Sequence, residues 1–153
     1  MKKLFFVFLF ATMITGCGGS EKTTTVCKGN IDELTTNTTT IESSDDQVEI
    51  MRAEVVYDVT GYVTDTFPIE YWESQLKSIN VDYDSLDGVT AKWDVDDTII
   101  TLNVEIDYTK ADFDQLADAG VITTSGGEDE ITYISLEQTI KEQENAGLTC
   151  KEQ

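Results

Sequence analysis

The residues with the most specific chemistry in this sequence are its three cysteines, Cys17, Cys27 and Cys150. Cys17 closes the run Ile14-Thr15-Gly16-Cys17. A branched apolar residue three positions before a cysteine, with a small residue directly before it, is the pattern of a lipobox. The small residues admit the backbone to a signal peptidase, and the thiol is the atom that takes a diacylglycerol. The competing reading is an ordinary secretory signal with a chance cysteine. With Cys17 consumed, Cys27 and Cys150 remain as an even pair in an exported, oxidising setting. They open and nearly end the folded part, so a bridge between them would staple its two ends together. Two unpaired structural cysteines are the alternative. Two thiols in a chain without histidine make a four-ligand zinc shell a poor prospect.

The other reactive groups are carboxylates: 30 Asp and Glu stand against 10 Lys and Arg, a formal charge of −20. Paired carboxylates can serve as general acid and base, but so acidic a chain throws up pairs by chance. Two clusters stand out, Asp82, Asp84 and Asp87, and Asp94, Asp96 and Asp97. The first superficially resembles a calcium loop and fails on register, because an EF-hand loop starting at Asp82 would need glycine at Asp87 and glutamate at Trp93. A solvated face or turn is the plainer reading of both clusters, with cation binding at these acids as the weaker alternative, and no metal is expected. The absence of histidine removes Ser-His-Asp and Cys-His arrangements. Gly126-Gly127 has no Lys-Ser or Lys-Thr behind it, so it is no phosphate loop. The sequence therefore predicts no catalytic residues and no cofactor.

Met1-Lys2-Lys3 is a basic start, and Leu4 to Ile14 is a nearly unbroken apolar run. At about 1.5 Å per helical residue the run is too short for a hydrocarbon core of about 30 Å, so it reads as a signal-peptide segment. The organisation expected is a lipoprotein signal peptide over 1–16, a lipidated flexible tether over 17–25 and a single domain over 26–153. Export by this signal and lipid on Cys17 would hold the chain on the extracytoplasmic side of a cell membrane, each buried acyl methylene contributing about 0.8 kcal/mol to anchoring. In a two-membrane envelope, Gly18 after the cysteine favours the outer membrane. Cleavage removes Lys2 and Lys3 and no acids, leaving 8 basic and 30 acidic residues and a formal charge of −22. Such a surface repels nucleic acid, whose binding rests on phosphate neutralisation, and anionic lipid or wall polymers. It favours solubility and cationic partners.

The elements that must position these groups follow from periodicity. Thr35–Ile41 and Gln47–Val59 are β-favouring runs joined by the turn Ser43-Ser44-Asp45-Asp46. The second changes phase near Met51–Arg52, a bulge signal. Pro68 opens a helix on which Ile69, Trp72, Leu76 and Ile79 share one face. Val89, Ala91, Trp93 and Val95 alternate, and Ile100, Leu102, Val104, Ile106 and Tyr108 alternate more cleanly still, with Asp94–Asp97 as the hairpin turn between them. Thr109 with Asp112 and Ser135 with Gln138 read as capping boxes, with Gly120 and Gly147 as helix stops. Ile131, Tyr133 and Ile134 form a short extended run, and Leu148-Thr149-Cys150 is a tail able to reach Cys27. The predicted class is α+β: an antiparallel sheet, meander plus hairpin, with two to three helices packed on one face. Trp72 and Trp93 could line a groove, though their apolar neighbours favour core roles.

Asp82-Tyr83-Asp84-Ser85-Leu86-Asp87-Gly88-Val89-Thr90-Ala91-Lys92, followed by Asp107-Tyr108-Thr109-Lys110-Ala111-Asp112-Phe113-Asp114, resembles the YehR-like family of small bacterial lipoproteins. In that family a Gly-Val-Thr segment precedes an acidic hairpin and an Asp-Tyr-Thr-Lys-x-Asp-Phe-Asp signature. The opening Cys27-Lys28-Gly29 fits too. The resemblance runs from Val26 to the C-terminus and departs most over Ser125–Glu130, read as a loop insertion. The family is a domain of unknown function, so the resemblance implies a fold and an address but no catalytic residues. It implies structural roles for Tyr108 to Phe113.

Three functional readings follow. The leading one is a non-enzymatic binding or accessory module, tethered to the membrane, whose partner is an envelope protein or a small ligand. The second is an acid-based hydrolase of the cell envelope. The third places the activity in the cleaved signal, with Leu9 to Gly16 as a secreted peptide. The lipobox generates a direct prediction: Cys17→Ser abolishes incorporation of labelled fatty acid and moves the chain from the membrane to the soluble fraction on cell fractionation.

Overall fold

In the computed structural model, which describes residues 20–122 and 132–153, the chain runs β1 (Lys22–Asn30), β2 (Thr35–Ser44), β3 (Gln47–Asp58), α1 (Ile69–Ile79), a 3-10 turn (Tyr83–Ser85), β4 (Val89–Asp96), β5 (Ile99–Asp107), α2 (Phe113–Asp118), α3 (Leu136–Asn145) and β6 (Thr149–Glu152). The strands form one antiparallel sheet in the order β4-β5-β3-β2-β1-β6. It is an α+β fold built from the meander β1–β3 and the hairpin β4–β5. The signal segment, Cys17, Ser125–Gly127 and Ile131 lie outside the described residues.

Strict alternation makes β5 the spine of the sheet. Ile100, Leu102, Val104 and Ile106 are buried, and the side chains between them are not. The register carries that face across neighbouring strands: Val89, Ile106, Met51 and Ile41 lie in one row, and Trp93, Leu102 and Val55 in another. Leu116 of α2 and Leu148 complete the buried cluster, with Tyr83, Leu86, Phe113 and Leu136 packed against it. Full burial of a Leu or Ile side chain stabilises by about 1.5–3 kcal/mol, so this single face holds most of the fold's apolar burial.

Several elements differ from their sequence reading for identifiable reasons. Lys22 to Thr25, expected within the tether over 17–25, belong to β1 instead. Thr23 to Thr25 are β-branched and favour extended backbone, and Thr23 shares a hydroxyl hydrogen bond with Ser43 (2.8 Å). The bulge falls at Glu49, since Glu42 pairs with Ile50 while Ser43 pairs with Val48. The cap of α2 is Asp112, whose carboxylate accepts from the Asp114 and Gln115 amides, while Thr109 turns back to Asp107. Ser135 does cap α3 through the Gln138 amide. β4 extends to Asp96, and Asp97 makes the tight turn with φ 54°. The C-terminal tail is a strand, β6, paired with β1 over Thr25–Lys28. Gly88 (φ +74°) has no room for a side chain, because a Cβ there would lie 2.6 Å from the Ala111 amide nitrogen.

Cys27 and Cys150 are direct cross-strand partners and are joined by a disulfide across a sequence separation of 123. Closing so long a loop removes about 5 kcal/mol of unfolded-state entropy by the chain-entropy argument. The double variant Cys27→Ser/Cys150→Ser is expected to fold with a markedly lower urea midpoint. Adding reductant should lower the midpoint of the parent chain and leave that of the variant unmoved.

Candidate functional site

Each buried residue on the helix-covered face has strand neighbours aimed the other way, and none of those neighbours on β3, β4 and β5 is buried. On this open face the register sets two adjacent rows. Thr40, Arg52, Glu105 and Thr90 lie side by side across β2, β3, β5 and β4, and Thr38, Glu54, Asn103 and Lys92 form the next row. The eight residues, with Ala53, Ala91 and Val104, line a concavity of about 400 Å³. The right-handed twist of a sheet produces such a saddle, and the volume lies within the range of small-ligand sites.

The site is electrostatically unusual for this chain. Arg52 is clasped by Glu42 on one side and Glu105 on the other, with Nε donating to Glu105 at 2.6 Å. The Lys92 ammonium donates to both carboxylate oxygens of Asp94 at 2.8 Å. No described side chain holds Thr38, Thr40, Glu54, Thr90 or Asn103 by a hydrogen bond, so hydroxyl, amide and carboxylate groups face outward. Two cations and two anions line the concavity, and the carboxylates of Glu42 and Asp94 at its edge are engaged by the same two cations, so Glu54 is the one carboxylate of this group without a basic partner among the described side chains. Alternation places Lys22, Lys28, Arg52, Lys92 and Lys151 on this same face, five of the eight basic residues left after residue 16.

The candidate acids land elsewhere. Asp82 precedes the 3-10 turn and Asp84 sits within it, while the Asp87 amide donates to Gln115. Asp94 and Asp96 stand on β4, with Asp94 held by Lys92, and Asp97 is in the turn. Among the described residues no three acidic, cysteine or histidine side chains are grouped to hold a metal. Trp93 stacks with Tyr57 against the core (6.4 Å), whereas Trp72 joins an aromatic group outside it. The cradle residues were not singled out by sequence reasoning. The signal was present in the polar halves of the alternating strands, Thr38/Thr40, Arg52/Glu54, Thr90/Lys92 and Asn103/Glu105.

At the end of the sheet where β1 begins, the Ser44 hydroxyl, then Lys22, lowers the Glu49 pKa. Lys110, then the Thr109 hydroxyl, lowers that of Asp107. Beside them burial, with a smaller contribution from Glu142, pushes the Tyr108 phenol up to about 12.

Among the described residues no helix is long and apolar enough to cross a membrane. Residues 24–149 match a protein family described as "Protein of unknown function (DUF1307)". No curated protein matches the chain. Among solved structures, the NMR structure of the E. coli YehR protein is 24% identical, covers 87% of this chain and 93% of its own, and has a TM-score of 0.64. An NMR structure of a protein from Streptococcus pneumoniae TIGR4 is 14% identical over 99% of this chain and 96% of its own, with a TM-score of 0.54. Both likenesses are of fold.

The Tyr108 shift sets an alkaline limit on stability. A phenol raised in the folded state above its unfolded value of about 10 contributes fully below pH ~10, and the contribution is lost as pH rises toward ~12. Phenolate absorbance should show Tyr108 titrating late, and Tyr108→Phe should move the alkaline unfolding midpoint upward.

Proposed function

The chain belongs to the YehR-like DUF1307 family of unknown function, and from that footing we propose that it is a lipid-anchored, non-enzymatic binding module of the bacterial envelope that takes its ligand on the open face of its sheet. The observation that carries this reading is the hydroxyl-rich cradle of about 400 Å³, in which two cations are gathered in a strongly anionic chain. Its free groups (three threonine hydroxyls, the Asn103 amide and the Glu54 carboxylate) offer both donors and acceptors, which suits a polar ligand or a partner surface with matched hydrogen bonds. Glu105, its other carboxylate, is engaged by Arg52, which favours holding a ligand over transferring a proton.

Anchoring at Cys17 supports the same role. β1 begins five residues after Cys17, and five extended residues reach about 18 Å at most. The Lys22–Ser44 end of the sheet would then stand close to the bilayer, with the cradle a few residues farther out along the strands. The partners implied are the membrane, through the lipid on Cys17, and an envelope protein or small ligand at the cradle.

The test is recovery from native membranes with three baits: the lipidated chain, Cys17→Ser, and Glu54→Lys/Asn103→Ala. A protein or ligand retained by the first and lost with the cradle variant establishes the site. Equal recovery by the cradle variant removes the open face from consideration. Both substitutions are at unburied positions and are expected to shift thermal stability little.

A further inference from the structure

Four aromatic rings form a continuous group at the end of the sheet away from Lys22. Ring centroids lie 5.0 Å apart for Phe67 and Tyr71, 5.5 Å for Tyr71 and Trp72, and 6.0 Å for Trp72 and Tyr62. The group is built, not incidental: Trp72 Nε1 donates to the Tyr62 carbonyl (3.2 Å), and the Phe67 amide donates to the Thr64 hydroxyl (3.1 Å). Yet Tyr62, Phe67 and Tyr71 remain 48%, 44% and 40% exposed. No residue of α1 is buried, and Ile79, on the same stripe as Trp72, is 77% exposed. Scattered exposed apolar residues are ordinary, but a contiguous group spanning a loop and an amphipathic helix marks an interaction surface.

The surround identifies the occupant by its charge. Asp58, Asp65 and Glu70 border the rings in sequence, and all three are exposed. The β4–β5 turn is docked alongside, through the Val59 amide to the Thr98 carbonyl (3.1 Å) and the Thr60 and Thr98 hydroxyls (2.7 Å), which adds Asp96 and Asp97. The one base between residues 58 and 80 is Lys77, already paired with Glu73. A second copy of the chain would set the same acids against these and be repelled.

We propose that this aromatic platform docks a basic segment of a partner protein, one in which Lys or Arg residues are interleaved with apolar side chains. The rings take the apolar side chains and offer their faces to guanidinium or ammonium groups, and the flanking carboxylates meet the positive charge. The surface shares no residue with the cradle, so it goes beyond the ligand reading above. Only its distance from the bilayer, about 35 Å along β3, rests on anchoring at Cys17.

The test titrates the full chain in neutral detergent micelles with three synthetic peptides of equal length: lysine with tryptophan and leucine, lysine with serine and glycine, and glutamate with tryptophan and leucine. Calorimetry is expected to show binding of the first, weaker by about tenfold or more for the other two. Phe67→Ser/Tyr71→Ser should weaken the first peptide by about tenfold or more, while Glu54→Lys leaves it unchanged, which separates this surface from the cradle. Should that double variant unfold, Asp65→Asn/Glu70→Gln keeps the rings and is expected to weaken binding several-fold and flatten its salt dependence. Equal binding of the acidic peptide, or binding of the first peptide that neither pair of substitutions weakens, overturns the proposal. So does concentration-dependent self-association abolished by Phe67→Ser/Tyr71→Ser, which would make a second copy the occupant.

Discussion

Everything in this fold depends on one constraint, that the sheet has a single dry face and every strand must keep its core side chains on it. Strand side chains alternate with a period of 2, so a slip of one residue would turn a strand's whole apolar set to water. β5 meets the constraint without adjustment, pairing Ile100, Leu102, Val104 and Ile106 against both β3 and β4. β3 cannot, because Val48 and Met51 both belong on the dry side and are an odd number of residues apart. The extra residue at Glu49 absorbs the mismatch. Its carbonyl then accepts the Tyr108 amide (2.9 Å), so the bulge that corrects the register also fastens the exit of β5.

What was legible in the sequence follows from this constraint. β5 and β4 could be read because their alternation is uninterrupted, and Ser135 and Gly147 because caps and stops are local chemistry. The Cys27–Cys150 pairing was legible because exclusion of Cys17 leaves two partners. The reading failed where non-local pairing decides. Nothing local in Leu148-Thr149-Cys150 marks it as an edge strand; it becomes one because β1 offers an unpaired edge from Thr25 to Lys28. The stripe on α1 was readable as a helix face, but periodicity carries no information on whether anything covers it. The cradle was invisible for a related reason. It draws polar residues from four strands, which come together only once the register is set.

Charge is distributed as unevenly as hydrophobicity. Surface ion pairs such as Arg52 with Glu42 and Glu105 contribute little each, about 0–1 kcal/mol, so their value lies in placement. By gathering most of its few cations on the open face, the chain offsets much of the negative charge there, so a polar ligand meets less electrostatic repulsion than elsewhere on the surface. The rest of the surface stays strongly anionic and resists self-association. Threonine suits this face well, since its β-branch favours strand backbone while its hydroxyl remains available for hydrogen bonding.

The two surfaces also differ in how they are supported. The cradle rests on the back of the core: its rows belong to strands whose opposite sides are the buried residues Thr39, Val104 and Leu102, so its geometry is as rigid as the sheet. The aromatic platform hangs from a loop and a helix that contribute nothing to the main core, and is held by its own ring contacts and the Trp72–Tyr62 hydrogen bond. Rigid sites preorganise small polar contacts, where positional error costs most. Adaptable aromatic surfaces suit an extended partner, whose side chains can settle among the rings. A core that needs only one face of one sheet leaves both kinds of surface available in a single small domain, one on the back of that sheet and one at its end.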